Sequence, residues 1–239
     1  MTSETGSRAR HYHDVLDAHR TGGRLVNVLL GGQDGLVNVL GVVLGVAAAT
    51  HSTRVVLAAA IAAAVAESIS MAAVAFTTSR AAAERFESER RRERRHIDRV
   101  PDLERDEIRA LYAARGFSGE LLDRVVETLT RDKDVWLAVM MREEHELHDV
   151  DRAASLRSAI EVGVAALVGS LLPVVPYAFA PVGLATPLAL IVGAATLFAF
   201  GCYKAHVTVG SVWRSGATLT LIGMASALAG YAVGTILHV

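Results

Sequence analysis

Glu67 sits in the run AAAVAESISM, residues 62–71, which is otherwise almost wholly apolar, and Met71 follows one helical turn later. Side chains about four residues apart share a helix face, so a carboxylate and a thioether would point the same way. A carboxylate inside a membrane span is costly and is usually kept for an ion pathway or a proton relay. The plainer reading has the hydroxyls of Ser68 or Ser70 satisfy it. A second acid, Asp34, interrupts another apolar run, and Asp34, Asn38, Gly41 and Gly45 fall on one stripe at helical spacing. Gly41 and Gly45 form a GxxxG pair, which permits close helix contact. An acid and a GxxxG on one face point to a polar seam between helices.

A second set of chemical groups lies in a charged stretch. It reads Glu93-x-x-His96, then Glu104-x-x-Glu107, then Met140-Met141-x-x-Glu144, with His145 and His148 as further candidates. Pairs three apart share a helix face. Oxygen donors alone suit Mg²⁺ or Ca²⁺, whereas adding imidazole and thioether shifts preference toward Fe²⁺, Co²⁺, Ni²⁺ or Zn²⁺. Taken singly, an ExxE in so charged a stretch also fits a solvated face, and a Met-Met pair also fits a gap-filling core.

These groups need elements to hold them. The chain has 239 residues, 52% hydrophobic, with a formal net charge of -1. Residues 81–157 carry two thirds of the Lys and Arg and about three quarters of the Asp and Glu. A mixed-charge block between two apolar blocks reads as a soluble domain inserted into a membrane protein. Its balanced signs argue against a nucleic-acid surface. Cys202 is the single cysteine, so no internal disulfide forms. The polar start of the chain does not read as a cleavable signal peptide.

Residues 25–49 are long enough for a tilted span of about 1.5 Å rise per residue. A second span covers residues 55–79, and helix-forming Ala, Glu and Arg continue it to about 99, so one long helix leaves the membrane until Pro101 stops it. Soluble helices come next over about 102–114, ended by Gly116, over about 119–130, capped by Ser118, and over about 132–156. Residues 162–203 carry no charge and hold about two spans, with Pro173, Pro176, Pro181 and Pro187 marking the connection. After a polar loop at 204–214, a fifth span runs to about 237, with Gly223, Ala227, Gly230 and Gly234 on one face. The expected fold is an all-α membrane protein of five transmembrane helices, with a cytosolic helical metal-binding domain between spans 2 and 3. Its parts are a polar segment (1–24), spans 1 and 2 (25–80), the metal-binding domain (81–156) and spans 3 to 5 (157–239). Arg8, Arg10, Arg20 and Arg24 precede span 1, and Lys204 and Arg214 precede span 5. By the positive-inside rule the N-terminus and the charged domain face the cytoplasm. Arg-over-Lys usage and abundant Ala suggest a GC-rich bacterial genome, and the expected membrane is then a bacterial plasma membrane.

The chain resembles the vacuolar iron transporter family. The likeness rests on GGQDGLVNVLGVVLGV (31–46), ESISMAA (67–73), VPDLERDEIRALYAARGFS (100–118) with VMMREEHEL (139–147), and LLPVVPYAF (171–179) with WRSGATLTLIGMASALAGYAVG (213–234). It covers nearly everything beyond residue 20. The resemblance implies exchange of cytosolic Fe²⁺ or Mn²⁺ for protons, with Zn²⁺ or Co²⁺ as other metals that could bind. It implies a homodimer whose pore lies between the two copies of spans 1 and 2. It implies pore roles for Asp34 and Met71 and ligand roles for Glu93, Glu104, Glu107, Met140, Met141 and Glu144. His96 stands where the family commonly has a glutamate. Ala63 stands where a pore carboxylate is expected, and Glu67, about 6 Å further along the axis, offers an acid on the same face. A carboxylate in low dielectric holds a proton until a divalent cation displaces it, which gives antiport by competition.

Two other classes compete. Glu93-x-x-His96 with further glutamates resembles a ferritin-like di-iron site, so the charged domain could be a membrane-anchored ferroxidase, or a metal sensor or store. The di-iron pattern wants a second ExxH, which is not clear here. A purely structural membrane protein leaves Asp34 and Glu67 unexplained.

Overall fold

The structure is a computed structural model that describes residues 22–145, 152–207 and 210–237; His148, Arg8, Arg10 and Arg20 lie outside them. The chain divides into two compact units, one from Met1–Ala75 with Arg157–Val239, the other Phe76–Leu156. The described elements are helical: α1 (Gly22–Ala49), α2 (Thr53–Arg99), α3 (Pro101–Ala114), α4 (Gly119–Thr130), α5 (Lys133–Val139), a π-helical turn (Met140–Glu144), α6 (Arg152–Leu171), a 3₁₀ turn (Leu172–Val174), α7 (Val175–Phe179), α8 (Val182–Val207) and α9 (Val212–Ile236). Among the described residues, five stretches are long and apolar enough to cross a membrane: Asn27–Ala49, the apolar part of Thr53–Arg99, Ser155–Phe179, Val182–His206 and Val212–Ile236. The protein is a multi-pass, all-α membrane protein.

In the apolar unit α1 is the hub, and small residues let its backbone touch its neighbours. A Cβ added at Gly230 would stand 2.0 Å from the Gly41 carbonyl oxygen, and one at Gly234 would stand 1.9 Å from that of Gly45. On α6, a Cβ at Gly169 would stand 2.2 Å from the Gly32 carbonyl oxygen. Without water to drive association, such close approach is how spans gain dispersion energy. Gly41 and Gly45 therefore face α9 of their own chain. Between these contacts lies a core of Val39, Val43, Val56, Ala60, Ala64, Tyr177 and Ala185. The Tyr177 hydroxyl donates to Thr186 Oγ1 at 3.0 Å, so the one large polar tip in that core is satisfied. Ile61, Val65, Ile69, Leu221 and Leu228 point outward, as a lipid-facing surface should.

The charged unit holds the C-terminal part of α2 and α3 to α5. Its core is Ile97, Ile108, Leu122, Val126, Trp136, Leu137, Met140 and Met141. Local chemistry sets the helix ends. Pro101 opens α3 in its first turn, where its missing N–H costs nothing. Gly116 comes after α3 with φ +94, a left-handed value that favours glycine. Asp132 Oδ1 accepts from the Asp134 and Val135 amides at 2.8 and 3.1 Å and caps α5.

The structure departs from the sequence expectations in four places. Pro187 lies inside α8 rather than in a connection; one lost backbone bond is tolerated in a span because the surrounding helix is held by its neighbours. The turn between spans 3 and 4 is instead made by residues 172–181. The 204–214 loop is shorter than expected, since α8 continues to Val207 and α9 starts at Val212. Ser118 holds the N-cap position of α4, yet its side chain makes no capping bond. The expected helix over 132–156 changes to a π-turn at Met140–Glu144, and residues 146–151 lie outside those described.

Candidate metal sites

The charged unit gathers several candidate ligands around Glu93. Glu93 and His96 are one turn apart on α2, and the reversal at Val100–Pro101 lays the first turn of α3 beside them. His96 Nδ1 comes within 3.3 Å of Glu104 Oε1 and 3.8 Å of Glu93 Oε1. Glu93 and Glu104 are only 4% and 2% exposed. Glu104 Oε2 is sealed from solvent and, among the described residues, has no hydrogen-bond partner. Burying a carboxylate with one oxygen unpaired is expensive. Burial first, and then the charges of Glu107, Glu93 and Glu144, push the Glu104 carboxyl up to about 7. The same kinds of cause, burial followed by the Glu107 charge, raise Glu144. A set of acids held against one another in this way suits a divalent cation, which would relieve both the repulsion and the unpaired oxygen.

Of the ligands expected from sequence, Glu93, His96 and Glu104 form one group whose donor atoms all lie within 4.8 Å of each other. Glu107 and Glu144 are exposed, near enough for their charges to act on Glu104. Met140 and Met141 are buried, packed with Ile97, Ile108 and Trp136. Sequence reasoning passed over Glu89, which joins Glu93 and His145 in a second group of the same tightness. Its signal was available, since Glu89 precedes Glu93 by one turn. The π-turn carrying Met140, Met141 and Glu144 has no sequence signature, yet such turns recur at functional sites.

In the apolar unit, α1 and α2 bring Asp34 and Glu67 together. The Glu67 carboxyl lies beside the Asp34 and Asn38 side chains. Asn38 Nδ2 donates to Asp34 Oδ2 at 3.5 Å, one turn along α1. Asp34 and Glu67 are both half-buried. Met71 stands one turn beyond Glu67 on α2, also half-buried. Ala63 leaves the position one turn before Glu67 without a donor. Elsewhere in this unit, Asn27 Nδ2 donates to Ser158 Oγ at 3.0 Å and to Glu161 Oε2 at 3.3 Å, which gives Glu161 a partner across α1 and α6. Two acids and an amide facing one another inside apolar helices can hold a cation or a proton, and little else in that setting needs them.

Comparison with known proteins agrees with this chemistry. The model of the VIT family matches residues 25–235. Vacuolar iron transporter 1 of Eucalyptus grandis is 31% identical over 217 residues, covering 90% of this chain and 87% of that protein. Vacuolar iron transporter 2 of rice is 32% identical over 216 residues, covering 89% and 88%. The vacuolar iron transporter of Toxoplasma gondii is 26% identical over 221 residues, covering 88% and 73%. These names place the relatives at a vacuole, so the expected bacterial plasma membrane finds no support among them.

Proposed function

The chain belongs to the VIT family, and from that premise we propose that it carries Fe²⁺ out of the cytosol in exchange for protons. Mn²⁺, whose donor preferences differ little, is the second substrate of this reading. The observation that supports it most is the meeting of Asp34, Asn38 and Glu67 between the first two spans. Metal and proton compete for these oxygens: a divalent cation displaces the proton on one side, and protonation releases the cation on the other. Met71, one turn away, offers a soft donor on the same path. Glu67 supplies the acid that Ala63 lacks.

The charged unit acts in this reading as a collector on the cytosolic side, with Glu93, His96, Glu104, Glu107, Glu144, Met140 and Met141 as its ligand set. The six basic residues that flank spans 1 and 5 support that orientation. A homodimer through spans 1 and 2 completes the pore. Supporting it, the apolar part of α2 is the least covered of the five spans, at 17% buried, and its outward Ile61, Val65 and Ile69 await lipid or a second copy. The test is Fe²⁺ uptake into proteoliposomes under an imposed pH gradient. Uptake that vanishes in Glu67→Gln supports the assignment; unchanged proton-driven flux in that variant removes Glu67 from the pathway.

A further inference from the structure

Glu93 stands between two donor sets. One set joins it to His96 and Glu104, the other to Glu89 and His145, and within each set the ligand atoms lie within 4.8 Å of one another. His145 Nε2 is 3.1 Å from Glu93 Oε1, and His96 Nδ1 is 3.3 Å from Glu104 Oε1. Two donors each ~2.0–2.2 Å from one ion are ~3.0–3.5 Å apart, so both separations match edges of a coordination shell. By length alone the His145 contact could be a hydrogen bond. Nε2 is nevertheless shielded from solvent and, among the described residues, is without a hydrogen-bond partner. A buried nitrogen without a partner calls for an explanation, and one facing a carboxylate that is 4% exposed is completed by a cation between the two. The backbone helps. The π-turn Met140–Glu144 ends at His145, whose amide donates to the Met140 carbonyl at 3.2 Å. The one extra residue in that i→i+5 turn places His145 about 100° from its α-helical register.

We propose that Glu89, Glu93 and His145 hold a second divalent metal ion, which shares Glu93 with the ion of the His96–Glu104 side. This rests on the reading of the charged unit as a metal collector and adds Glu89 and His145 to it. Glu93 bridges the pair. Each ion takes three donors from its set and keeps open positions for water or the neighbouring Glu107 and Glu144, as exchangeable rather than closed sites do. One imidazole on each ion turns preference away from Mg²⁺ and Ca²⁺ and toward Fe²⁺ and its neighbours. Two ions held through one carboxylate release more readily than two isolated ones, because they repel each other, which suits a unit that must hand its metal on.

The full-length protein in detergent, titrated calorimetrically with Co²⁺ alone, tests the proposal through the number of ions bound per chain. Glu89→Gln and His145→Ala should each lower that number by one. Glu89 is half-buried on a helix surface, so the glutamine variant keeps its fold even if the histidine variant does not. An unchanged count in Glu89→Gln, with Co²⁺ bound by the unaltered protein, overturns the second position and leaves the collector intact. No Co²⁺ binding by the unaltered protein overturns both.

Discussion

Glu104 makes metal capture by the charged unit dependent on pH across the neutral range. Only the ionised carboxylate binds metal, and its carboxyl is pushed up to about 7 by burial and by Glu107, Glu93 and Glu144. At pH 5.5 such a group is ionised about 3% of the time, so its share of the apparent affinity falls about 30-fold from the alkaline limit. A glutamate at its usual 4.5 would still be about 90% ionised and would lose almost nothing. The groups facing it are Glu93 and His96 on α2, Glu107 on α3 and Glu144 on the π-turn. The imidazole must also be neutral to bind, so a control has to isolate the Glu104 share. Calorimetric titration of the full chain with Fe²⁺ under anaerobic conditions, at pH 8.0, 6.5 and 5.5, should show a fall of at least 30-fold. Glu104→Gln should bind more weakly at pH 8.0 but lose much less on acidification. An affinity that stays flat in the unaltered protein, or a pH slope that survives Glu104→Gln unchanged, refutes the reasoning.

Other outcomes rest on the same geometry. With no metal present, ionising Glu104 opposes folding, because its folded pKa lies above the unfolded value. The stability this group contributes is therefore present below pH 4.5 and lost as pH rises through 7, and Glu104→Gln should stabilise the metal-free protein at pH 8 by ~1–3 kcal/mol, read by thermal unfolding in detergent. Gly234→Ala drives a methyl into the Gly45 carbonyl and should lower the unfolding temperature of the apolar unit, at a cost of about 1–3 kcal/mol, while Co²⁺ binding by the charged unit persists. Alanine at Glu104, Glu107 and Glu144 together should weaken metal binding at least tenfold while the circular dichroism spectrum stays helical. Fe²⁺ added to the protein in detergent should consume oxygen no faster than it does in buffer; rapid uptake would favour the ferroxidase reading.

Much of the fold was legible because a span is mainly a matter of length and apolarity. Five runs met that condition, and Pro101 and Gly116 marked helix ends through chemistry local to each. The features that escaped depended on partners. The Gly41–Gly45 pair reads the same whether it meets another chain or α9 of its own; only the fold shows Gly230 and Gly234 against it. Pro187 reads as a breaker, yet a span held by neighbours carries it inside α8. Asp34 and Glu67 were legible as misplaced acids, and the sequence withheld that they meet, with Asn38 beside them. In the charged unit Glu93, His96 and Glu104 were readable as helix-spaced donors. Glu89 was lost among many glutamates of similar spacing; His145 was named as a candidate, but only the fold shows it against Glu93, at the end of a π-turn that no residue pattern announces.

Coupled transport through Asp34 and Glu67 stands or falls on Fe²⁺ uptake into proteoliposomes that carry an internal pH reporter, with the unaltered protein and Glu67→Gln side by side. Competition of metal and proton for these carboxylates requires metal entry with proton exit, and loss of both in the variant. Metal entry with no change of internal pH, or full coupling in Glu67→Gln, would contradict it.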